Sequence, residues 1–307
     1  MLLACGDALI DFVPVTAADG RDAYVPVAGG SNLNIAVAMG RLGAVAGLCG
    51  GVSTDMFGQM IAAHLAASKV DLRYVERADL ETTLAFVRFV DGEPHYAFYD
   101  ETTAARLWRY VPGSIPFPAI DAIHTGSTTL INDPSASETL RLVEDAKGIT
   151  TISFDPNCRP SLVRDKAAYV ARMERFAAAA DIVRMSDVDF DYLYGGDDYA
   201  AKAEAQLAAG AALYIVTRGA KGVLAWHRNT GLVEVGAPKT EVVDTIGAGD
   251  TFQGSLLAAL SEAGRIERSA LDAIDAEGLS AALAFGTRCA AITCSRAGAN
   301  PPWRHEL

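Results

Sequence analysis

Residues 243–252 read Val-Asp-Thr-Ile-Gly-Ala-Gly-Asp-Thr-Phe. Gly247 and Gly249 allow a tight bend, Ala248 between them adds little bulk, and a helix-forming stretch follows from Thr251. Free N–H groups at a helix start, together with the helix dipole, make a site for an anion such as a phosphoryl group. Asp250 stands at that start. As an N-cap it would satisfy backbone donors. As a general base it would take a proton from a hydroxyl while the N–H groups stabilise charge on a transferring phosphoryl group. Capping accounts for the aspartate but not for the two glycines before it. The segment thus offers two readings of Asp250, a cap or a base beside an anion site at the Gly247-Ala248-Gly249 bend.

Two further segments offer groups suited to hydroxyls. In residues 28–38, Gly29 and Gly30 precede a helical stretch, and Asn34 falls in its first turn or two. An asparagine amide both donates and accepts, so Asn34 is either a hydroxyl-binding group or a plain cap. Asp11 follows the first apolar run, in Gly6-Asp7-Ala8-Leu9-Ile10-Asp11. Its carboxylate could accept from two sugar hydroxyls at once, or be an ordinary solvated loop residue.

These groups need a scaffold. Short apolar runs at residues 1–5, 119–124, 149–154, 182–185, 213–216 and 223–226 lack regular polar alternation, as strands buried on both faces do. Between them lie Ala/Leu-rich helical stretches at 35–42, 167–179, 200–209, 251–263 and 279–293. The alternation predicts an α/β fold with a mainly parallel central sheet and helices on both faces. Small and polar residues gather where the strands end, as in Thr125-Gly126-Ser127 and Asp155-Pro156-Asn157-Cys158-Arg159. Ligands bind at that edge of an open α/β sheet. Two stretches break the pattern. Residues 11–28 hold a turn at Ala17-Ala18-Asp19-Gly20, and residues 82–101 hold Asp91-Gly92 between β-rich runs, a hairpin signal. They predict a small antiparallel β lid, inserted into a core made of residues 1–10, 29–81 and 102–307.

Composition narrows the partners. The 307 residues carry a net charge of −12 and are 50% hydrophobic. So acidic a surface repels phosphate backbones and anionic lipids, which argues against nucleic-acid or membrane partners. Five scattered cysteines without a CxxC pair suggest free thiols in a reducing compartment, and five dispersed histidines offer no metal spacing. With no secretory signal and no membrane-length apolar run, a cytoplasmic protein is expected. Neither GxGxxG nor GxxxxGK[ST] occurs, which speaks against a nicotinamide-dependent oxidoreductase and a P-loop enzyme. A non-catalytic sugar or nucleotide sensor would show a degenerate loop or a lost base, and neither is present.

The chain resembles the ribokinase-like, or PfkB, family of sugar kinases nearly end to end. Residues 29–43 look like its first signature, residues 244–250 like its second, and Val216-Thr217-Arg218-Gly219-Ala220-Lys221-Gly222-Val223 like its nucleotide-site turn. The resemblance implies a ribokinase-like fold and transfer of phosphate from ATP, with Mg²⁺, to a primary hydroxyl of a sugar. By match, Asp250 is the base, and Gly247, Ala248 and Gly249 supply the anion hole. Asp11, Gly29, Gly30 and Asn34 bind the sugar, and Ser186, Thr217, Gly219, Gly222 and Gly249 sit by the nucleotide. Asp244, Ile246, Thr293, Arg296 and Gly298 match positions that hold a monovalent cation such as K⁺, partly through backbone carbonyls. One departure stands out: Ser186-Asp187-Val188-Asp189 replaces the family's Asn-x-x-Glu, and a shorter carboxylate at Asp189 reaches less far.

Residues 82–87, 96–101 and 155–160 look like the bacterial fructokinase branch, which implies fructose as substrate. Tyr96 and Phe98 share one face of the lid hairpin by period two. Each could cover a sugar ring, pack within the lid, or meet a second copy of the chain in a homodimer. Arg159 could contact a hydroxyl, a phosphate or a carboxylate. The last option would suit 2-keto-3-deoxygluconate, the alternative substrate, with other sugars and nucleosides behind it.

Overall fold

The computed structural model describes the backbone of residues 1–90 and 93–307 and the side chains of residues 1–88 and 97–307. The turn expected at Asp91-Gly92 and the Tyr96 side chain lie outside the described residues.

Among the described residues thirteen strands form two sheets: β1 (Leu2–Cys5), β2 (Leu9–Thr16), β3 (Asp22–Gly29), β4 (Ala46–Ser53), β5 (Val70–Ala78), β6 (Leu84–Val90), β7 (Glu93–Tyr99), β8 (Ala122–Gly126), β9 (Thr151–Asp155), β10 (Ile182–Ser186), β11 (Leu213–Thr217), β12 (Val223–His227) and β13 (Gly231–Val235). The large sheet runs β13-β12-β11-β10-β9-β8-β1-β4-β5. It is parallel from β11 to β5, and β12 and β13 add an antiparallel edge. The expected α/β architecture is thus present.

Strands buried on both faces explain the unbroken apolar runs. Along β1, Leu2 and Ala4 enter one core and Leu3 and Cys5 the other. On β11, Leu213 and Ile215 face the first core, and Tyr214 and Val216 the second. The first core is covered by α1 (Ser31–Arg41), α2 (Met56–Ala67) and, later in the chain, a pair of long helices. The second is covered by α4 (Ser135–Ala146), α5 (Lys166–Ala179), α6 (Asp187–Tyr194) and α7 (Tyr199–Ala209), with the short α3 (Ala104–Leu107) beside β4. The long pair is α8 (Ala248–Glu262) and α10 (Ala276–Cys294), joined through α9 (Arg268–Asp272). Among the described residues, no helix is long and apolar enough to cross a membrane.

Both helices that carry predicted site residues start earlier than the sequence suggests. Helix α1 begins at Ser31, directly after Gly30, so Asn34 lies in its first turn. Helix α8 begins at Ala248 and takes Gly247 as its N-cap, with φ 73° in the left-handed region. The two helices cross closely at Gly254. A Cβ there would stand 2.8 Å from the Ala38 methyl and 2.8 Å from the Ile35 carbonyl oxygen.

The small sheet runs β3-β2-β6-β7. Two antiparallel pairs, β2 with β3 and β6 with β7, join along β2 and β6, which run parallel from Ile10↔Leu84 to Phe12↔Phe86. Aromatic rings knit the joint. Phe12 stacks on Phe86 with centroids 4.5 Å apart, and meets Phe57 of α2 edge-on at 5.6 Å. Offset and edge-to-face ring pairs of this kind add to plain area burial, and the Phe57 contact ties the small sheet to the core.

Candidate active site

The chain order changes direction at β1, which has β8 on one side and β4 on the other. Crevices at such switch points, beyond the carboxyl ends of the strands, are where open α/β sheets bind ligands. Here a cleft of about 320 Å³ opens. Its walls include Asp7 after β1, Asp11 on β2, Ser127 and Thr128 after β8, Asn157 and Arg159 after β9, and Phe98 of the small sheet. Gly30, Ser31 and Asn34 of α1 meet Gly247, Gly249 and Asp250 of α8 across it.

Asp250 is 7% exposed and is not an N-cap. Its Oδ1 accepts from the Ser31 hydroxyl at 2.7 Å and from the Asn157 amide at 3.2 Å, and its Oδ2 accepts from the Asn34 amide at 2.9 Å. Burial pushes its carboxyl above the ordinary carboxylate range, while the Asn34 and Ser31 hydrogen bonds and the Arg159 charge pull against that rise. A carboxylate whose proton affinity is raised is a better base for proton abstraction from an alcohol. The first amides of a helix have no partner inside it. Ala248 donates back to the Thr245 carbonyl at 3.2 Å and Thr251 to the Gly247 carbonyl at 2.8 Å. Of the Gly247–Gly249 amides, that of Ala248 is thus engaged within the turn, and among the described residues those of Gly247, Gly249 and Asp250 have no such backbone acceptor.

Asp11 is half-buried. Its carboxyl is pushed up to about 6 by burial, with the Asp7 charge adding, the Arg159 charge opposing and Asp250 adding again. Gly29 does not line the cleft but makes room for this carboxylate, since a Cβ there would fall 2.2 Å from Asp11 Oδ2. Gly30, at φ 104°, holds a left-handed backbone against the Asp7 carbonyl that a side chain would strain.

Several cleft residues were not singled out from the sequence. Asp7 is buried. It accepts from the Asn32 backbone N–H at 2.9 Å, the Asn32 side-chain amide at 2.8 Å and the Thr128 hydroxyl at 2.6 Å. Ser31 and Asn157 hold Asp250, and Asn157 adopts φ 37°, a left-handed conformation that asparagine tolerates. The only signal for these three was their place at strand ends or beside glycines. Arg159 Nη1 donates to its own loop: to the Asn157 carbonyl at 3.0 Å, the Asn157 Oδ1 at 2.6 Å and the Cys158 carbonyl at 3.0 Å.

Thr217 ends β11, and Gly219 and Gly222 form the turn from β11 to β12; none of the three lines this cleft. Gly222 packs against the Val235 carbonyl so closely that a Cβ would lie 2.2 Å away. Ser186 caps α6, and the Asp189 carboxylate completes the capping box. Asp189 Oδ2 accepts from the Ser186 hydroxyl at 2.7 Å, and Oδ1 from the Cys158 amide at 2.8 Å. Both oxygens are therefore held by the fold. Asp244 and Gly298 come together, with the Gly298 amide donating to Asp244 Oδ2 at 2.9 Å and the Ile246 amide to Oδ1 at 2.9 Å. Thr293 is buried against Thr251, and the Arg296 guanidinium pairs with Glu306 at 2.7 Å. What Arg296 could offer a cation is its carbonyl.

A base at a helix-borne anion site, facing hydroxyl-binding side chains at a sheet switch point, is the layout of a phosphotransferase with an alcohol acceptor. The pfkB family carbohydrate kinase model matches residues 1–306, and the chain belongs to that family. The fructokinase of Rhizobium leguminosarum bv. trifolii is 37% identical over 281 residues, covering 91% of this chain and 85% of that one. The fructokinase of Xylella fastidiosa solved with bound ATP superposes with a TM-score of 0.88 at 29% identity, over 97% of this chain and 93% of that one. The fructokinase of Vibrio cholerae O395 in its fructose-, ADP- and calcium-bound form gives a TM-score of 0.80 at 27% identity, over 97% and 94%.

Proposed function

We propose that this chain is a fructokinase: it transfers the terminal phosphoryl group of ATP to the primary hydroxyl of fructose, giving fructose 6-phosphate and ADP. The observation that carries the reading is Asp250, buried in a cleft of hydroxyl-binding groups and one residue after Gly249 of the anion-binding turn. Asp250 takes the proton of the attacking hydroxyl. The amides at the start of α8 stabilise charge on the phosphoryl group in flight. Asp11, Asn34 and Gly30 hold the other sugar hydroxyls, and Phe98 borders the ring. ATP lies towards Thr217, Gly219 and Gly222.

The alternative, an acid sugar such as 2-keto-3-deoxygluconate, would rest on Arg159. That arginine is the one cation lining the cleft among the described residues, against the carboxylates of Asp7, Asp11 and Asp250. A neutral polyol satisfies those carboxylates, whereas another carboxylate would be repelled.

Magnesium supplies charge neutralisation when it accompanies ATP. In the Ser186–Asp189 turn both Asp189 oxygens are engaged by the fold and Asp187 Oδ1 accepts from the Val188 amide at 3.0 Å, and no step is assigned to a protein-held magnesium. The oxygen-only donors around Asp244, Ile246, Thr293, Arg296 and Gly298 suit a hard monovalent cation such as K⁺, which would stiffen the loop leading into Gly247. The small sheet exposes Val15, Tyr24, Val25, Val27 and Tyr99, apolar surface that fits a homodimer through the lid. An ATP-consuming enzyme with five free cysteines fits the cytoplasm.

The test is a coupled ADP assay with Mg·ATP and fructose, 2-keto-3-deoxygluconate, ribose and adenosine. Fructose should give the highest kcat/KM, and a higher value for another acceptor would overturn the choice of sugar. Asp250→Asn should lower kcat at least about 100-fold, the scale of general-base catalysis, while the protein stays folded. Near-normal turnover in that variant would remove Asp250 as the base.

A further inference from the structure

Arg184 comes from the middle of the apolar strand β10 and is 5% exposed. Its guanidinium lies where three parallel strands meet the anion-binding turn. Nη1 pairs with the carboxylate of Asp155 at the end of β9, and Nη2 donates to the Thr217 hydroxyl at the end of β11 at 2.5 Å. Its Nη1–Nη2 edge points at Gly249: a Cβ on that glycine would stand 3.0 Å from Nη2 and 3.1 Å from Nη1. The absence of a side chain at Gly249 is thus what lets a buried cation reach the backbone of the turn.

The contacts continue to the base. Asp155, completely buried, uses its other oxygen to accept the Asn157 backbone N–H at 3.0 Å, and the Asn157 side chain donates to Asp250 Oδ1 at 3.2 Å and to Ser31 Oγ at 2.9 Å. Arg184 therefore lies against the Gly249 backbone, just before Asp250, and reaches the Asp250 carboxylate through Asp155 and Asn157. On its other side it holds Thr217, at the nucleotide edge. Burial works against its charge, but Asp155, with Asp189 and Asp250 behind it, keeps it firmly protonated. A buried cation so close to backbone that meets a phosphoryl group adds fixed positive charge where water cannot screen it.

Resting on the kinase reading above, we propose that Arg184 is a positioning residue for phosphoryl transfer: it fixes the Gly249 turn and, through Asp155 and Asn157, the Asp250 carboxylate, and so joins the nucleotide edge to the acceptor cleft. The role requires a guanidinium, because only a planar fork reaches Asp155 and Thr217 together.

The test compares wild type, Arg184→Lys and Arg184→Met. Removing one partner of a buried ion pair destabilises a fold strongly, so Arg184→Lys, which keeps the charge, decides the matter if Arg184→Met does not fold. Arg184→Lys should lower kcat about tenfold and Arg184→Met at least a hundredfold, with KM for sugar changed less than threefold in each. Amide hydrogen exchange, which needs no turnover, should quicken at residues 245–250 in Arg184→Lys but not at the first turn of α10. Unchanged exchange at the turn, or a kcat for Arg184→Lys within twofold of wild type, would overturn the proposal. So would a loss of kcat matched by an equal loss of folded protein. Failure of the kinase reading would look different: wild type and Asp250→Asn would then be equally inactive on every sugar, while the exchange difference persisted.

Discussion

Asp11 and Asp250 are carboxylates of one cleft with different surroundings. Asp250 is held by three side-chain donors, whereas Asp11 faces the Asp7 and Asp250 charges and is pushed up to about 6 by burial first of all. The proposed sugar contact uses the ionised form of Asp11, which accepts from two hydroxyls. Because ligand selects the ionised form, affinity is full above this value and falls as pH drops through it. KM for fructose should be level above about pH 6.5 and then rise, by about tenfold for each unit well below the titration point. Asp11→Asn should bind weakly at all pH values and show no such slope. A KM profile that stays flat down to pH 5 in the wild type would remove Asp11 from the sugar contact. At this level the sequence was partly readable. Asp250, Asn34 and Asp11 stood out because glycines or a strand end flanked them. Arg184 did not, since in Ile-Val-Arg-Met-Ser it looks like an interruption in an apolar strand. Its meaning depends on Asp155, Thr217 and Gly249, which only the fold brings together.

The turn from Thr245 into α8 is built on one left-handed residue. Gly247 caps the helix at φ 73°, and a Cβ on it would lie 2.5 Å from the Ala299 methyl. Gly247→Ala should therefore cost about 1–2 kcal/mol from the backbone conformation, with the Ala299 contact added. The loss is measurable as a lower urea midpoint at unchanged slope. Turnover should fall further than stability, because relief of the clash moves the amides of Gly249 and Asp250. The same preference for small residues hid some elements from the sequence. Strand β4 reads Ala-Gly-Leu-Cys-Gly-Gly-Val-Ser, poor in β-forming side chains, and was not expected. Its glycines are there because neighbouring backbones come close: a Cβ on Gly50 would fall 2.4 Å from the Gly6 carbonyl, and one on Gly51 2.0 Å from the Ala104 carbonyl. By contrast β1, β10 and β11 were legible, since burial on both faces leaves an uninterrupted apolar run.

The molecule as a whole carries a net charge of −12 and must admit an anionic nucleotide. Self-repulsion of this kind acts over the Debye length, about 10 Å at 0.1 M salt. Raising ionic strength from 10 mM to 100 mM with tetramethylammonium chloride, which avoids any specific potassium effect, should lower KM for Mg·ATP by several-fold. The KM for fructose, which is uncharged, should change little. A KM for Mg·ATP that rises with salt would mean that local positive charge outweighs the global field. The α/β class was predictable from strand and helix alternation. The parallel joint between β2 and β6 was not, because it depends on two distant segments sharing the Phe12–Phe86 stack.

The close crossing of α1 and α8 at Gly254 gives the enzyme a weak point outside the cleft itself. Each helix delivers part of the constellation from its first turn, Ser31 and Asn34 from one and Asp250 from the other. Gly254 keeps the two rods in contact four residues further along, about one helical turn away. A bulky replacement there would pry them apart like a wedge driven between hinged boards. The reacting groups would drift out of register with nothing in the substrate chamber altered, and heat-sensitive alleles that spare the cleft should recur at this glycine.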